Sequence, residues 1–307
     1  MSEVSPLILV TGAAGSVGAV GRTVVETLRR QDLPVRALVH REDERAEALR
    51  ATGAEVVVAD MTRAADVVPA VDGVSRVFFS MSVSPSYLEA ALTMATVARE
   101  SRGIEAFVNL SQMTVSGMTT TSTEESRQQR LHWLAEQALV WSGLPLVVLR
   151  PTVFLEHPFF TLFAAASIAE NGEIRLPFGP ARTSPVAAGD VADVASTVLA
   201  DPAPHLGKVY ELTGPRSEDM NAMAAEFSEA LGRRITYVDV PLERWLEQDL
   251  RKAKLPEHLA DHIATMARLH ARGRYARLTD DVETVIGRPA TGVRDFVAGH
   301  AALYGPS

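Results

Sequence analysis

The sequence predicts an α/β protein built on a doubly wound parallel sheet, with a smaller, mostly helical C-terminal part. Three observations carry this. Short β-branched runs alternate with helix-like segments through the first half, a glycine-rich stretch follows directly on the first run, and the alternation stops after Arg150-Pro151. Apolar strands each followed by a helix need cover on both faces of a sheet, and right-handed crossovers then wind it doubly.

The first strand, Leu7–Val10, is wholly apolar, and a helical pattern around Arg22–Arg30 follows it after a glycine-rich turn. Val35–Val39 and Glu55–Val58 are the next strands, separated by the charged, alanine-containing segment Glu42–Ala51. Ala64–Val71 leads to strand Arg76–Phe79, and Tyr87–Ser101 to strand Ala106–Leu110. Gln128–Ser142 then precedes the sixth strand, Leu146–Leu149. Beyond it lie a Phe- and Ala-rich segment, 154–171, and a Gly/Pro-punctuated one, 172–185. Asp190–Leu199 is helical again, Lys208–Leu212 a further strand, and helices dominate from Ser217 apart from the β-like run Ile235–Val240. Residues 1–152, rejoined by 186–214, are therefore expected to form a dinucleotide-binding domain, with 153–185 and 215–307 as the substrate-binding part. The low-complexity stretch 119–123 (TTTST) reads as a mobile loop.

Composition narrows the function. The chain has 307 residues, 47% hydrophobic and 22% charged, with net charge −8. That excess of acid argues against nucleic acid and anionic membranes as partners. There is no cysteine, which excludes disulfides, thiol catalysis and iron–sulfur ligation and suits a reducing cytoplasm. The apolar run near the N-terminus is too short for a signal peptide, and no run approaches the ~20 residues of a membrane span. A cytoplasmic, non-membrane protein is expected.

Residues 11–22 read TGAAGSVGAVGR, with glycines at 12, 15, 18 and 21. In a βαβ nucleotide-binding unit (the Rossmann fold) such glycines allow a tight turn and a close backbone approach to a pyrophosphate at a helix N-terminus. Three glycines suffice, so the fourth needs a reason. Val17, Val20, Val24, Val25 and Leu28 share one helical face, which predicts a helix beginning near Ser16 with an extra near-turn. Gly12 and Gly15 then belong to the phosphate turn, and Gly18 and Gly21 permit close packing.

At this point the chain resembles the atypical short-chain dehydrogenase/reductases of the NmrA-like family. The similarity rests on TGAAGSVG, VRALVHR, GAEVVVADM at 53–61, GVSRVFFS at 73–80, FVNLS at 107–111, HWLAEQALVWSGLPLVVLRPTVF at 132–154, GKVYELTG at 207–214 and DDVETVIGRPATGVRDFV at 280–297. It implies a dinucleotide site with Thr11, Gly12, Gly15, Ser16 and Val17 at the pyrophosphate, and His40 and Arg41 beside the adenosine ribose. Asp60 and Met61 would flank the adenine, Ser80, Met81 and Ser82 the ribose and nicotinamide, and Phe154 the nicotinamide ring. A basic residue after the second strand favours the NADP phosphate, so Arg41 leans the expectation to NADP(H). An Arg41 paired with Glu42 or Asp43 would leave NAD(H) acceptable. Neither metal nor flavin is expected: the pair His258 and His262, with Asp261 and His270 nearby, lacks a zinc site's third ligand and base.

Related reductases carry a Tyr-x-x-x-Lys pair that protonates the substrate. Here those positions are Gln128 and His132. Ser111 matches the strand-end serine, and the usual catalytic Ser/Thr position falls on Met113. Three readings stay open: His132, oriented by Glu136, delivers a proton; the acceptor needs little acid help; or the protein only senses the cofactor. His157, after the sixth strand, is a second catalytic and substrate-contacting candidate. Met113, Phe154 and Phe160 are expected to line an apolar cleft, although Phe154, Phe159, Phe160 and Phe163 at near-helical spacing equally fit plain core. The leading expectation is an NAD(P)H-dependent reductase of a conjugated carbonyl or quinone on a small apolar, polycyclic aromatic substrate of polyketide type. In one variant its reduced product reacts with dioxygen, a net hydroxylation without flavin or metal. A non-catalytic cofactor sensor and an epimerase or dehydratase are the alternatives, and the oligomeric state is left open.

Overall fold

The computed structural model describes residues 6–15 and 18–305. Its elements run β1 (Leu7–Val10), α1 (Val20–Arg30), β2 (Val35–Val39), α2 (Glu44–Ala51), β3 (Glu55–Val58), α3 (Ala64–Val71), β4 (Val74–Phe79), α4 (Tyr87–Ser101) and β5 (Ala106–Leu110). A 3-10 turn, Met113–Gly117, leads to α5 (Arg127–Ser142) and β6 (Leu146–Pro151). A π-turn, Phe159–Ala164, runs into α6 (Ala165–Asn171), followed by β7 (Glu173–Leu176), β8 (Arg182–Thr183), α7 (Ala188–Ala200) and β9 (Val209–Leu212). The chain closes with β10 (Glu218–Asp219), α8 (Met220–Leu231), β11 (Thr236–Asp239), α9 (Leu242–Trp245), α10 (Glu257–Ala271), α11 (Asp281–Ile286) and α12 (Val293–Gly299).

Seven strands form one parallel sheet in the order β3-β2-β1-β4-β5-β6-β9. The doubly wound α/β fold follows directly from strand composition: β1, β2, β4, β5 and β6 present apolar side chains to both faces, so helices must cover both. One face packs Val24, Val25 and Leu28 of α1 with Val191, Val194 and Val198 of α7. The other packs Tyr87, Ala91 and Met94 of α4 with Ala135 and Leu139 of α5. A third core, centred on Phe159, Phe227, Trp245 and Phe296, holds the C-terminal part together. There β7 pairs with β11 in parallel, and β8 with β10 antiparallel. The order reverses between β1 and β4, which opens a crevice at the carboxyl ends of the strands.

The glycine-rich stretch differs from the sequence expectation in one respect. Helix α1 begins at Val20, not near Ser16, because Gly18 (φ +64°) and Ala19 (φ +47°) are both left-handed and end any helical path there. The three added residues lengthen the loop instead. Each outer glycine has a steric reason. A β-carbon on Gly12 (φ +67°) would lie 2.6 Å from the Ser80 carbonyl oxygen, and one on Gly21 would lie 2.7 Å from the Gly12 oxygen. Gly18 is the added one, and it lets the longer loop sit against α7, where a β-carbon would meet Ala188 Cβ at 2.4 Å. The TTTST stretch is held rather than free: Thr119 N–H donates to Ser122 Oγ at 2.9 Å, and Arg130 donates to the Thr120 and Ser122 carbonyls.

Gly12→Ala should combine left-handed strain with a backbone clash and lose about 2–4 kcal/mol. Gly73 is also left-handed (φ +72°) but has nothing within 4 Å. Gly73→Ala should therefore lose only the conformational penalty of about 1–2 kcal/mol. Urea midpoints of the two variants check this; equal losses would show that the Ser80 contact does not matter.

Candidate active site

The site is assembled at the carboxyl edge of the sheet. Thr11, fully buried, follows β1 and bonds twice to the residue that follows β4. Its Oγ1 donates to the Ser80 carbonyl and accepts from the Ser80 N–H, both at 2.8 Å. The Thr11 hydroxyl is thereby committed to joining the strands, and only the Thr11 backbone borders the glycine turn. Gly15 N–H closes that turn on the Gly12 carbonyl at 3.0 Å. Ser16 and Val17, expected at the pyrophosphate, lie outside the described residues.

His40 and Arg41 are exposed beyond β2. Neither neighbouring acid pairs with Arg41. Glu42 binds Arg50 at 2.6 Å, while Asp43 caps α2 and binds Arg45 at 2.5 Å. Arg45 also donates to the Ala14 carbonyl at 2.9 Å, which brings a guanidinium to the glycine turn. No sequence motif marked Arg45; only its place in the first turn of α2 puts it there. Asp60 accepts from Thr62 N–H and Oγ1 and is held below the usual carboxylate range, chiefly by those two bonds and also by nearby His40. Ser80 and Met81 are half-buried at the end of β4, and Ser82 is exposed.

The opposite wall is formed by α5, the segment after β6, and α10. The Ser126 hydroxyl caps α5, accepting from Gln129 N–H at 3.2 Å, while Gln129 Oε1 accepts from Ser126 N–H at 2.8 Å. The same hydroxyl bonds His262 Nδ1 at 2.8 Å. His132 is buried, with its ring 3.7 Å from that of Tyr87 and neither ring nitrogen bonded to another described residue. Glu136 does not orient it. That carboxylate, 3% exposed, takes Arg150 instead, at 2.5 Å. Half-buried Phe154 sits at the end of β6, bridged to Val186. His157 Nδ1 accepts the Phe159 N–H at 3.2 Å, which leaves the ring proton on Nε2.

Burial dominates the electrostatics. Desolvation pushes His132 down to about 3 and His262 down to about 4. His270, stacked between Phe178 and Tyr275, goes to about 3, and His157 well below its ordinary value. Burial also raises Tyr87 and Tyr275. All these side chains are neutral at pH 7. Among the described residues, no group of three or more His, Asp or Glu is placed to hold a metal.

A model of the NmrA-like family matches residues 5–296. The chain belongs to the NmrA-like family. It is 31% identical over 303 residues to an NAD(P)H azoreductase from Xenophilus azovorans, covering 97% of this chain and 99% of that one. A (4-alkanoyl-5-oxo-2,5-dihydrofuran-3-yl)methyl phosphate reductase from Streptomyces griseus is likewise 31% identical, over 98% of this chain and 100% of the relative. An NADPH-dependent quinone oxidoreductase from Escherichia coli, solved with NADPH, superposes with a TM-score of 0.82 at 25% identity, covering 96% and 99%.

In this NmrA-like chain the predicted cofactor residues that are described line one edge of the sheet. The predicted substrate residues divide. His157 and Phe154 stand where the strands end, and Ser111 and Met113 are buried just past β5. Phe160 corrects the expectation: it is fully buried in the C-terminal core with Phe159 and Trp245, because the π-turn directs this stretch inward. Sequence spacing does not bring Ser126, His262 and Tyr275 to this wall. The Ser-x-x-Gln spacing announces a helix start, but nothing in the sequence ties it to a histidine 136 positions on.

The buried imidazoles make stability pH-dependent. Their folded pKa values lie below the unfolded one of about 6.5, so the unfolded chain binds the extra protons, and stability is lost as pH falls below that value. For His132, His262 and His270 together we expect a loss on the order of 5 kcal/mol between pH 6.5 and 5. Chemical denaturation at several pH values checks this; the triple variant carrying Gln at all three positions should be much flatter.

Proposed function

We propose that the protein is an NAD(P)H-dependent reductase that delivers hydride to a neutral conjugated acceptor, a quinone or extended enone on an apolar aromatic frame. The observation that carries this is the protonation state of the site. His132 and His157 are uncharged at neutral pH and the nearby tyrosines are raised, so no side chain is poised as a general acid. An acceptor reduced here must hold the negative charge it gains with hydrogen bonds alone, and quinones and enones delocalise that charge. The azo, quinone and furanone groups named for the relatives are likewise conjugated, although the furanone carries a phosphate.

The glycine turn fits a dinucleotide: its backbone approaches Ser80 as closely as glycine allows, and the Arg45 guanidinium bonds its Ala14 carbonyl. When bound, the nicotinamide supplies the hydride. The chain's own residues bind and orient. Gly12 to Gly15 meet the pyrophosphate, Arg41 and Arg45 offer positive charge for a ribose phosphate, and Phe154 flanks the ring. His157 Nε2–H donates a hydrogen bond to the acceptor's polar atom, and water supplies the proton as product leaves. A polycyclic hydroquinone product that passes its electrons to dioxygen is the finer case of this reading.

Cofactor absorbance with NADPH and NADH, against naphthoquinones and polycyclic quinones with dissolved oxygen recorded, tests the proposal. We expect quinone-dependent oxidation whose kcat is flat from pH 6 to 9. A kcat falling through pH 6–7 would put a protonated histidine back in the mechanism. Tight binding of both cofactors with neither consumed would make the protein a sensor. Arg41→Ala should raise the KM for NADPH about tenfold while leaving that for NADH unchanged.

A further inference from the structure

Helix α10 brings His262 to the start of α5, and its hydrogen bond fixes which nitrogen carries the proton. Ser126 Oγ already accepts the Gln129 N–H, and His262 Nδ1 is the only other described group bonded to it. Were His262 to donate, the hydroxyl proton would be left without an acceptor in a buried place, which costs a full desolvation penalty. The hydroxyl therefore donates to Nδ1, and the imidazole proton stays on Nε2, on the far side of the ring from Ser126. That Nε2–H has no partner among the described residues. The ring is 6% exposed and stands close enough to His132 and His157 that its charge would be felt at both. Two neutral imidazoles, His157 and His262, thus each keep an Nε2–H free, one held by a backbone amide and the other by a serine.

Two arginines of the flanking segments are already engaged. Arg274 is bound to Glu125 at 3.0 Å, and Arg130 to backbone carbonyls. An anionic end on a ligand would find an uncharged donor at each imidazole.

We propose that His262 is a substrate-binding residue, its Nε2–H the second hydrogen-bond donor, beside that of His157, for the polar atom of a neutral conjugated acceptor. Ser126 is its positioning residue, and two uncharged donors favour neutral acceptors over carboxylates and sulfonates. The proposal rests on the reductase reading for its substrate class, but the tautomer and the binding contribution are measurable without turnover.

The first measurement is the 15N spectrum of the imidazoles in the full chain, with 1,4-naphthoquinone as the ligand probe. His262 should be the Nε2–H tautomer in the wild type and a mixture in Ser126→Ala. Steady-state kinetics with nicotinamide nucleotide then compare variants. His262→Phe should raise the KM for 1,4-naphthoquinone about tenfold, the loss of one hydrogen bond to an acceptor gaining charge, with the cofactor KM unchanged. His262→Gln, whose amide nitrogen reaches the position of Nε2, should recover most of that loss. The wild type should also prefer 1,4-naphthoquinone to its 2-sulfonate. An Nδ1–H tautomer, an unchanged KM in His262→Phe, or equal losses in the Phe and Gln variants would overturn the proposal. If the wild type oxidises no cofactor with any quinone, the reductase reading fails. Calorimetric binding of 1,4-naphthoquinone to the wild type and both variants then decides the donor by the same comparison.

Discussion

The pair of hydrogen bonds between Thr11 and Ser80 is the constraint on which the rest of the site depends. It ties the ends of β1 and β4 together at the point where the strand order reverses. With the Ser80 carbonyl drawn to Thr11, there is no room for a β-carbon at residue 12. The glycine at 12 forces the glycine at 21, whose own β-carbon would meet the Gly12 backbone. The fourth glycine is a consequence of loop length: the longer loop must pass α7, and Gly18 is where it does so. Glu156 completes that contact, accepting from Ala188 N–H at the start of α7 at 3.0 Å. The cofactor turn and the segment that carries His157 are in this way fastened to the same helix.

A second constraint is the ion-pair chain behind the site. Arg150 joins Glu136 of α5 to β6, and Ser116 and Glu211 extend the chain through β9 to Arg277. Glu136 and Arg150 are largely withdrawn from water, so removing either leaves a buried charge uncompensated, whereas the intact pair roughly balances its own desolvation. The chain holds α5 at a set height above β5 and β6, and with it Ser126 and His132. Residues 274–279, which carry Tyr275, are stitched to the same region through Ser184, Ser217 and Thr213.

The proposed chemistry follows from enclosing polar groups without charging them. Imidazoles on three elements are desolvated together, and His262 further suppresses protonation of both His132 and His157. Such a site offers hydrogen bonds of fixed direction and little proton-transfer power. It suits acceptors that can carry their own negative charge, and it requires no replacement for the tyrosine and lysine that related reductases use.

Strand and helix identities were legible in the sequence because apolar runs of this length have few alternatives, and the sheet's parallel sense followed from helices between them. The glycine turn was legible because its glycines sit next to a strand in one continuous stretch. The start of α1 was not, since the valines from Val17 keep helical spacing through two residues that the loop bends left-handed. Nor was the role of Phe160, because an aromatic stripe has the same pattern whether it lines a cleft or fills a core. By itself, then, the sequence determined the fold class, the family and the glycine turn that follows the first strand. Only the tertiary structure decided that Glu136 serves Arg150 rather than His132, and that Ser126 meets His262 across 136 positions. Pattern and spacing record local geometry, whereas the state of a proton depends on burial and on partners that distant elements bring together.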